Sequence, residues 1–198
     1  MKNMKMKSLL SAAVVTLALG SSSSALLASE TVIIDVPTNV SAPLGLAFSE
    51  VYSIVSLSSK LCLDVVDKGT ANGVRFQQWG CNAAANQKYL LAPIRAGVYK
   101  LVTVGASKLS STGSKVISVK DSDQADGAVV QLWQELDVDN QELAIEPVAG
   151  GSYVIKFKHS NKCLDVSNAS VNSGARLQQW TCTGSDNQKF NFARMESI

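Results

Sequence analysis

The sequence predicts an all-β domain with threefold internal repetition, and three recurring features predict it. A tyrosine opens an alternating segment three times, at Tyr52, Tyr99 and Tyr153. A tryptophan follows in each copy (Trp79, Trp133, Trp180), six residues after a turn-type glycine in Asn72-Gly73, Asp126-Gly127 and Ser173-Gly174. Seven residues beyond each tryptophan stands an Asn-Gln pair: Asn86-Gln87, Asn140-Gln141 and Asn187-Gln188. Chance does not hold these markers in register three times.

The first element in the chain is a targeting segment. Met1–Lys7 carries lysines, Leu9–Leu19 is apolar, and Ser23-Ser24-Ala25 offers small residues for cleavage, with Ala28 a second position. Residues 1–28 therefore read as a signal peptide, with an apolar run too short to span a bilayer. Its removal takes Lys2, Lys5 and Lys7 and leaves fifteen Lys+Arg against sixteen Asp+Glu. The formal +2 of the full chain thus becomes a slight negative excess, which argues against nucleic acid and anionic lipid as partners. The expected location is secreted or periplasmic, with no membrane insertion after cleavage. Residues 29–46 match no repeat and read as a leader that packs loosely or pairs as an edge strand.

From residue 47 onward, short alternating segments are separated by Gly, Asn, Asp and Ser. Repeat one (47–96) supplies VYSIVSL, KLCLDV, VRFQQW and QKYLLA. Repeat two (97–149) supplies VYKLVTV, KVISV, VVQLW and QELAI. Repeat three (150–195) supplies YVIKFK, KCLDV, ARLQQW and QKFNFA. No segment sustains a 3.6-residue period, so twelve strands are expected, four per copy. Tyr to Trp is 27 residues in the outer copies and 34 in the middle one, which places a seven-residue insertion in VGASKLSSTGSK. Three four-stranded copies in one domain predict a β-trefoil; neither a propeller nor a sandwich accounts for the count. Tyr89, Leu143 and Phe190, which follow the Asn-Gln pairs, are expected core plugs.

The four cysteines of an exported chain read as disulfides rather than a metal site. The repeat selects Cys62–Cys81 and Cys163–Cys182, each at an offset of 19 residues. Each closed loop is worth about 3 kcal/mol in the chain-entropy description.

Strand alternation then sorts the polar residues. In VRFQQW, Arg75, Gln77 and Trp79 share the face opposite Val74, Phe76 and Gln78; in repeat three, Arg176, Gln178 and Trp180 oppose Ala175 and Leu177. In CLDV, Leu63 and Val65 point inward, Cys62 and Asp64 outward. Each disulfide would hold a carboxylate (Asp64, Asp165) beside an indole (Trp79, Trp180). An indole face packs on the C–H patch of a pyranose, and a carboxylate accepts from two adjacent hydroxyls. Asn86 and Asn187 add a donor and an acceptor, while Gln87 and Gln188 are expected to brace the asparagine and the backbone. In the middle repeat the aspartate position falls on Ser118 or, with the insertion placed later, Ser111. Carboxylate and disulfide are both lost there, so that copy reads as silent and Trp133 as structural.

The chain resembles the ricin B-type lectins, β-trefoil carbohydrate-binding modules built on QxW repeats. The resemblance covers roughly residues 47–195 and rests on CLDV, QQW-x-C and NQ, twice in order. It implies sugar contacts by Asp64, Trp79, Asn86 and Gln87, and by Asp165, Trp180, Asn187 and Gln188, with Gln77 and Gln178 in support. No cofactor is implied. His159 is the sole histidine, no nucleophile constellation accompanies it, and Asp64 and Asp165 lie in different repeats. Catalysis is therefore not expected. The function expected is binding of galactose-type or related sugars at two shallow sites, with glycans or polysaccharide as partners. The rivals are a xylan-type anchoring module for a separate hydrolase, a protein-interaction module or toxin subunit, and a purely structural envelope protein.

Overall fold

The computed structural model describes residues 11–17, 30–36, 41–43, 45–107 and 113–195. Strands β1 (Ser11–Leu17) and β2 (Glu30–Val36) pair antiparallel in a small sheet of their own. The leader thus contributes a strand that pairs with β1 rather than with the edge of the repeat sheet. The expected cleavage positions lie outside the described residues.

The twelve expected strands are all present. Repeat one holds β3 (Val51–Ser56), β4 (Cys62–Val65), β5 (Phe76–Trp79) and β6 (Tyr89–Arg95). Repeat two holds β7 (Val98–Thr103), β8 (Lys115–Val119), β9 (Val130–Gln134) and β10 (Leu143–Pro147). Repeat three holds β11 (Tyr153–Phe157), β12 (Cys163–Val166), β13 (Leu177–Trp180) and β14 (Lys189–Arg194). The outer strands of each repeat close a six-stranded barrel, β3-β6-β7-β10-β11-β14 and back to β3. The inner pairs β4–β5, β8–β9 and β12–β13 are hairpins that cap it. This is a β-trefoil.

Alternation places the core where the apolar residues require it. Ile54, Leu63, Val65, Phe76 and Tyr89 bury from repeat one, and Leu101, Ile117, Val119, Leu132 and Leu143 from repeat two. Ile155, Leu164, Val166, Leu177 and Phe190 complete the cluster from repeat three. Each such side chain contributes about 1.5–3 kcal/mol on burial. Tyr89, Leu143 and Phe190 are the plugs the sequence predicts, and the Tyr89 hydroxyl donates to the Leu63 carbonyl at 3.1 Å.

The hairpins interlock at the threefold axis. Gly73 N–H donates to Leu132 O, Gly127 N–H to Gln179 O, and Gly174 N–H to Gln78 O, all at 2.8–2.9 Å. In return Leu132, Gln179 and Gln78 donate their N–H to Val74, Ala128 and Ala175 carbonyls. The three glycines hold φ near +85 to +88°, where a Cβ is disfavoured, which explains the recurrence of glycine six residues before each tryptophan. Gln78 and Gln179 are buried because their side-chain amides reach across this junction. Gln78 Nε2 donates to Ser170 O and Asn172 O, and Gln179 Nε2 to Asp123 O and Ala125 O. Leu132 stands at the matching place in repeat two, packed in the core.

Candidate functional site

Both expected disulfides are formed, Cys62–Cys81 and Cys163–Cys182, each with 5.1 Å between Cα atoms. The pairing register sets Asp64 opposite Gln77 and Cys62 opposite Trp79; in repeat three it sets Asp165 opposite Gln178 and Cys163 opposite Trp180. Directly paired antiparallel residues project to one face, so carboxylate, glutamine and indole lie together there. Trp79 and Trp180 are 45% and 40% exposed, large apolar surfaces left open to solvent.

The aspartates differ from expectation in depth. Asp64 and Asp165 are only 3% and 4% exposed, and Cys62 and Cys163 are buried too. The cause is the Asn-Gln turn, a single 3-10 turn that folds back over the strand (Ala85–Gln87 in repeat one, Asp186–Gln188 in repeat three). Asp64 Oδ1 accepts from Gln77 Nε2 at 2.9 Å, and Oδ2 accepts from Asn86 Nδ2 at 2.7 Å and Gln87 Nε2 at 2.9 Å. Repeat three reproduces this closely: Gln178 at 3.0 Å on Oδ1, Asn187 at 2.8 Å and Gln188 at 2.9 Å on Oδ2. Three amides fix each carboxylate and leave most of its free acceptor capacity on Oδ1. Asn86 and Asn187 therefore spend their donors on the protein rather than on a ligand.

The glutamines brace the backbone, as expected, and the carboxylate, in place of the asparagine. Gln87 Nε2 donates to Gly80 O as well as to Asp64, while its Oε1 accepts from Asn82 N–H. Gln188 does the same with Thr181 O and Thr183 N–H. Gln141, in the copy without a carboxylate, keeps the loop contacts to Gln134 O and Leu136 N–H. The loop contacts are thus structural, and the carboxylate contact is what distinguishes the outer copies.

Repeat two fixes its own register. Ser118 pairs with Gln131 and accepts from Asn140 Nδ2 at 3.2 Å, so Ser118 occupies the aspartate position; Ser111 lies outside the described residues. A hydroxyl there supplies one weak contact where the outer copies hold a charge.

Around Asp165 the surface forms a shallow pocket of about 190 Å³, lined by Asn168, Ala169, Gln178, Trp180, Thr183 and the Asn187-Gln188 pair. Asn168 and Ala169 hold left-handed φ of +57° and +48°, as do Asp67-Lys68 and Asp121-Ser122 in the other copies. Asn and Asp tolerate this region better than most residues, which accounts for the first position of each pair. Thr183, a pocket wall, carries no signal in the sequence. Burial raises the pKa of Asp165 above the usual carboxylate value, partly offset by the hydrogen bonds from Gln188, Gln178 and Asn187, with Asp126 adding to the rise. Each indole also leans on a neighbouring repeat. A Cβ built on Gly174 would lie 3.7 Å from Cζ3 of Trp79, and one on Gly127 the same distance from Cζ3 of Trp180. Among the described residues no cluster of His, Cys, Asp and Glu could hold a metal ion.

A closed trefoil with an indole beside a caged carboxylate defines a class: the lectin-like trefoils. The sequence model described as ricin-type beta-trefoil lectin domain-like matches residues 45–133 and 139–197, and the chain belongs to that family. Its fold and family are those of carbohydrate-binding domains. The designed threefold-symmetric protein ThreeFoil is similar at 30% identity and a TM-score of 0.68, over 73% of this chain and 99% of that one. The Macrolepiota procera ricin B-like lectin, solved in complex with lactose, shares the fold at 15% identity and a TM-score of 0.62, over 76% and 99% of the two chains. Among curated proteins, the clotting factor G alpha subunit of Tachypleus tridentatus is 45% identical over 47 residues, 24% of this chain and 7% of that protein. Beta-agarase AgaB34 of Agarivorans albus is 40% identical over 42 residues, 21% of this chain and 9% of that enzyme. The match therefore spans under a tenth of either curated relative.

Proposed function

We propose that this is an exported, non-catalytic lectin that binds galactose-type or related sugars at two shallow sites, one on Asp64 and Trp79, the other on Asp165 and Trp180. One observation carries the reading: a carboxylate held by three amides beside an exposed indole, built twice and absent from the middle copy. A buried carboxylate costs free energy, and an indole left nearly half exposed forgoes much of what burial would contribute. Both make sense when a pyranose covers the ring and its hydroxyls meet Oδ1. Lactose in the Macrolepiota procera lectin supports the galactose side of the proposal. The signal-type leader supports export.

A glycan array with the purified protein beside Trp79→Ala/Trp180→Ala tests it. Both tryptophans lie at the surface, so the double variant keeps its fold, which circular dichroism checks. Binding to a defined sugar class that disappears in the variant is the expected result; binding that survives moves the site elsewhere.

A second reading, attachment of a polysaccharide-degrading enzyme to its substrate, draws on the short match to an agarase. Retention on an insoluble xylan or galactan with no response to small sugars would favour it.

A further inference from the structure

The two proposed sites share one carboxylate cage, but a different residue flanks each from the next repeat. Across β5 from Asp64, Gln77 stands opposite Arg176 of repeat three; at the second site Gln178 stands opposite Val129 of repeat two. Gln78 N–H to Ala175 O at 2.9 Å and Gln179 N–H to Ala128 O at 3.0 Å fix these registers. Opposed antiparallel residues project to one face, so Arg176 emerges on the face that carries Asp64, Gln77 and Trp79. Asp64, Gln77 and Arg176 form a row across three strands, about 5 Å from one to the next. The turn that leads into Arg176 already reaches the indole, through Gly174.

A second position repeats the contrast. Asn168 and Ala169 line the pocket at Asp165; the residues with the same left-handed φ at the first site are Asp67 and Lys68, both exposed. Among the described residues, neither Lys68 nor Arg176 has an ion pair or a side-chain hydrogen bond. Along its own strand each site has an arginine two residues before its glutamine, Arg75 or Arg176, so that charge does not tell the sites apart. The neighbouring repeat does. It brings the second site a carboxylate, Asp126, whose charge reaches Asp165 and which Lys162 pairs at 2.7 Å; the matching residue at the first site is Ser173. Lys68 and Arg176 thus outweigh Asp67 at the first site, while Ala169 and Val129 leave the second without either cation. Beyond residue 28 acids slightly outnumber bases, so no general field draws an anion here and only a local pair of cations can.

We infer that the first site selects a sugar with an anionic substituent, a ring carboxylate or a sulfate ester, held by Arg176 and Lys68, whereas the second site takes neutral sugars. A guanidinium presents paired N–H donors to two oxygens of either group, and the lysine adds a point charge. The ring lies on Trp79 with its hydroxyls toward Asp64 Oδ1. The row from Asp64 to Arg176 then places the anion on the side of the ring away from the aspartate, which repels it. A neutral sugar leaves both cations in water and gains nothing from them. This inference rests on the lectin reading of Asp64 and Trp79.

The test titrates the unaltered protein with galactose and glucose, each beside its uronate and its 6-sulfate, and follows the Trp79 and Trp180 indole N–H resonances separately. The expected result at Trp79 is about fivefold tighter binding of an acidic sugar than of its neutral parent, with no such preference at Trp180. Whichever acid gains identifies the substituent as carboxylate or sulfate. The preference should fall to parity at about 1 M salt, where screening acts within about 3 Å, and in Arg176→Gln/Lys68→Gln. Val129→Arg/Ala169→Lys, which builds the same flank beside Gln178, should carry the preference to Trp180. Equal affinities at Trp79, the same preference at both indoles, or a preference that survives Arg176→Gln/Lys68→Gln overturns the inference and leaves the lectin reading intact. No response of either indole to any of the six sugars overturns the lectin reading, and the inference with it.

Discussion

At the scale of single residues, the aspartate of each site is the point of tension. Asp165 is almost wholly buried, and burial pushes its pKa above the reference value of 3.8. The folded state therefore keeps its proton to higher pH than the unfolded chain does. This group's contribution to stability is full below the unfolded value and is lost as pH rises through the folded one. On the proposed reading, binding runs the opposite way, because only the ionised carboxylate would offer Oδ1 fully to a sugar hydroxyl. Acidification should thus empty the second site beginning above pH 3.8 while slightly favouring the fold. Lactose titrations that follow the Trp180 indole resonance across the acid range check this; loss confined to the ordinary carboxylate range would contradict it. That these residues gather in one place was legible in the sequence, because CLDV, QQW and NQ recur with fixed spacing. Their depth was not. Alternation reports which face a side chain takes, whereas the burial of Asp64 comes from Gln77, Asn86 and Gln87 converging from two later segments.

At the scale of elements, the hairpin β4–β5 and the Asn-Gln turn depend on one another through the disulfide. Cys62–Cys81 joins the strand that carries Asp64 to the loop that leads into Asn86. Replacing both cysteines by alanine should lower stability by about 3 kcal/mol in the chain-entropy description, read as a fall in the denaturant midpoint. It should also weaken sugar binding at the first site and spare the second, which titration of the two indole resonances separates. Equal loss at both sites would show that the link acts on the whole barrel. The strands, the turn glycines and both disulfides were readable because each has a local cause: alternation, a left-handed φ, a repeated cysteine offset. The interlocking of the hairpins was not, since the bonds from Gln78 to Ser170 and Asn172 cross more than ninety residues. The insertion was visible only as extra length; its contact with Ala85 depends on the barrel bringing repeats one and two side by side.

At the scale of the whole molecule, the two proposed sites, if shallow and weak, would act through multivalency. Trp180→Ala should keep single-sugar binding at half the stoichiometry of the unaltered protein yet lose the ability to crosslink a multivalent glycan. Calorimetry with a free sugar, set beside turbidity with a branched polysaccharide, distinguishes the two. Crosslinking that persists in the single-site variant would point to self-association. The threefold frame has one more consequence, which follows from Gly174 lying against Trp79 and Gly127 against Trp180. Each indole takes part of its wall from the turn of another repeat, so neither site belongs wholly to the segment that carries its aspartate. A lone copy of repeat three, cut out and expressed, would own a carboxylate, an amide cage and an indole with nothing beside it. Three identical copies associating around an axis would complete one another's walls and carry three aspartate–indole pairs in place of two. The walls around each indole are thus the property of a closed ring, and a ligand bound between them would also hold the ring closed.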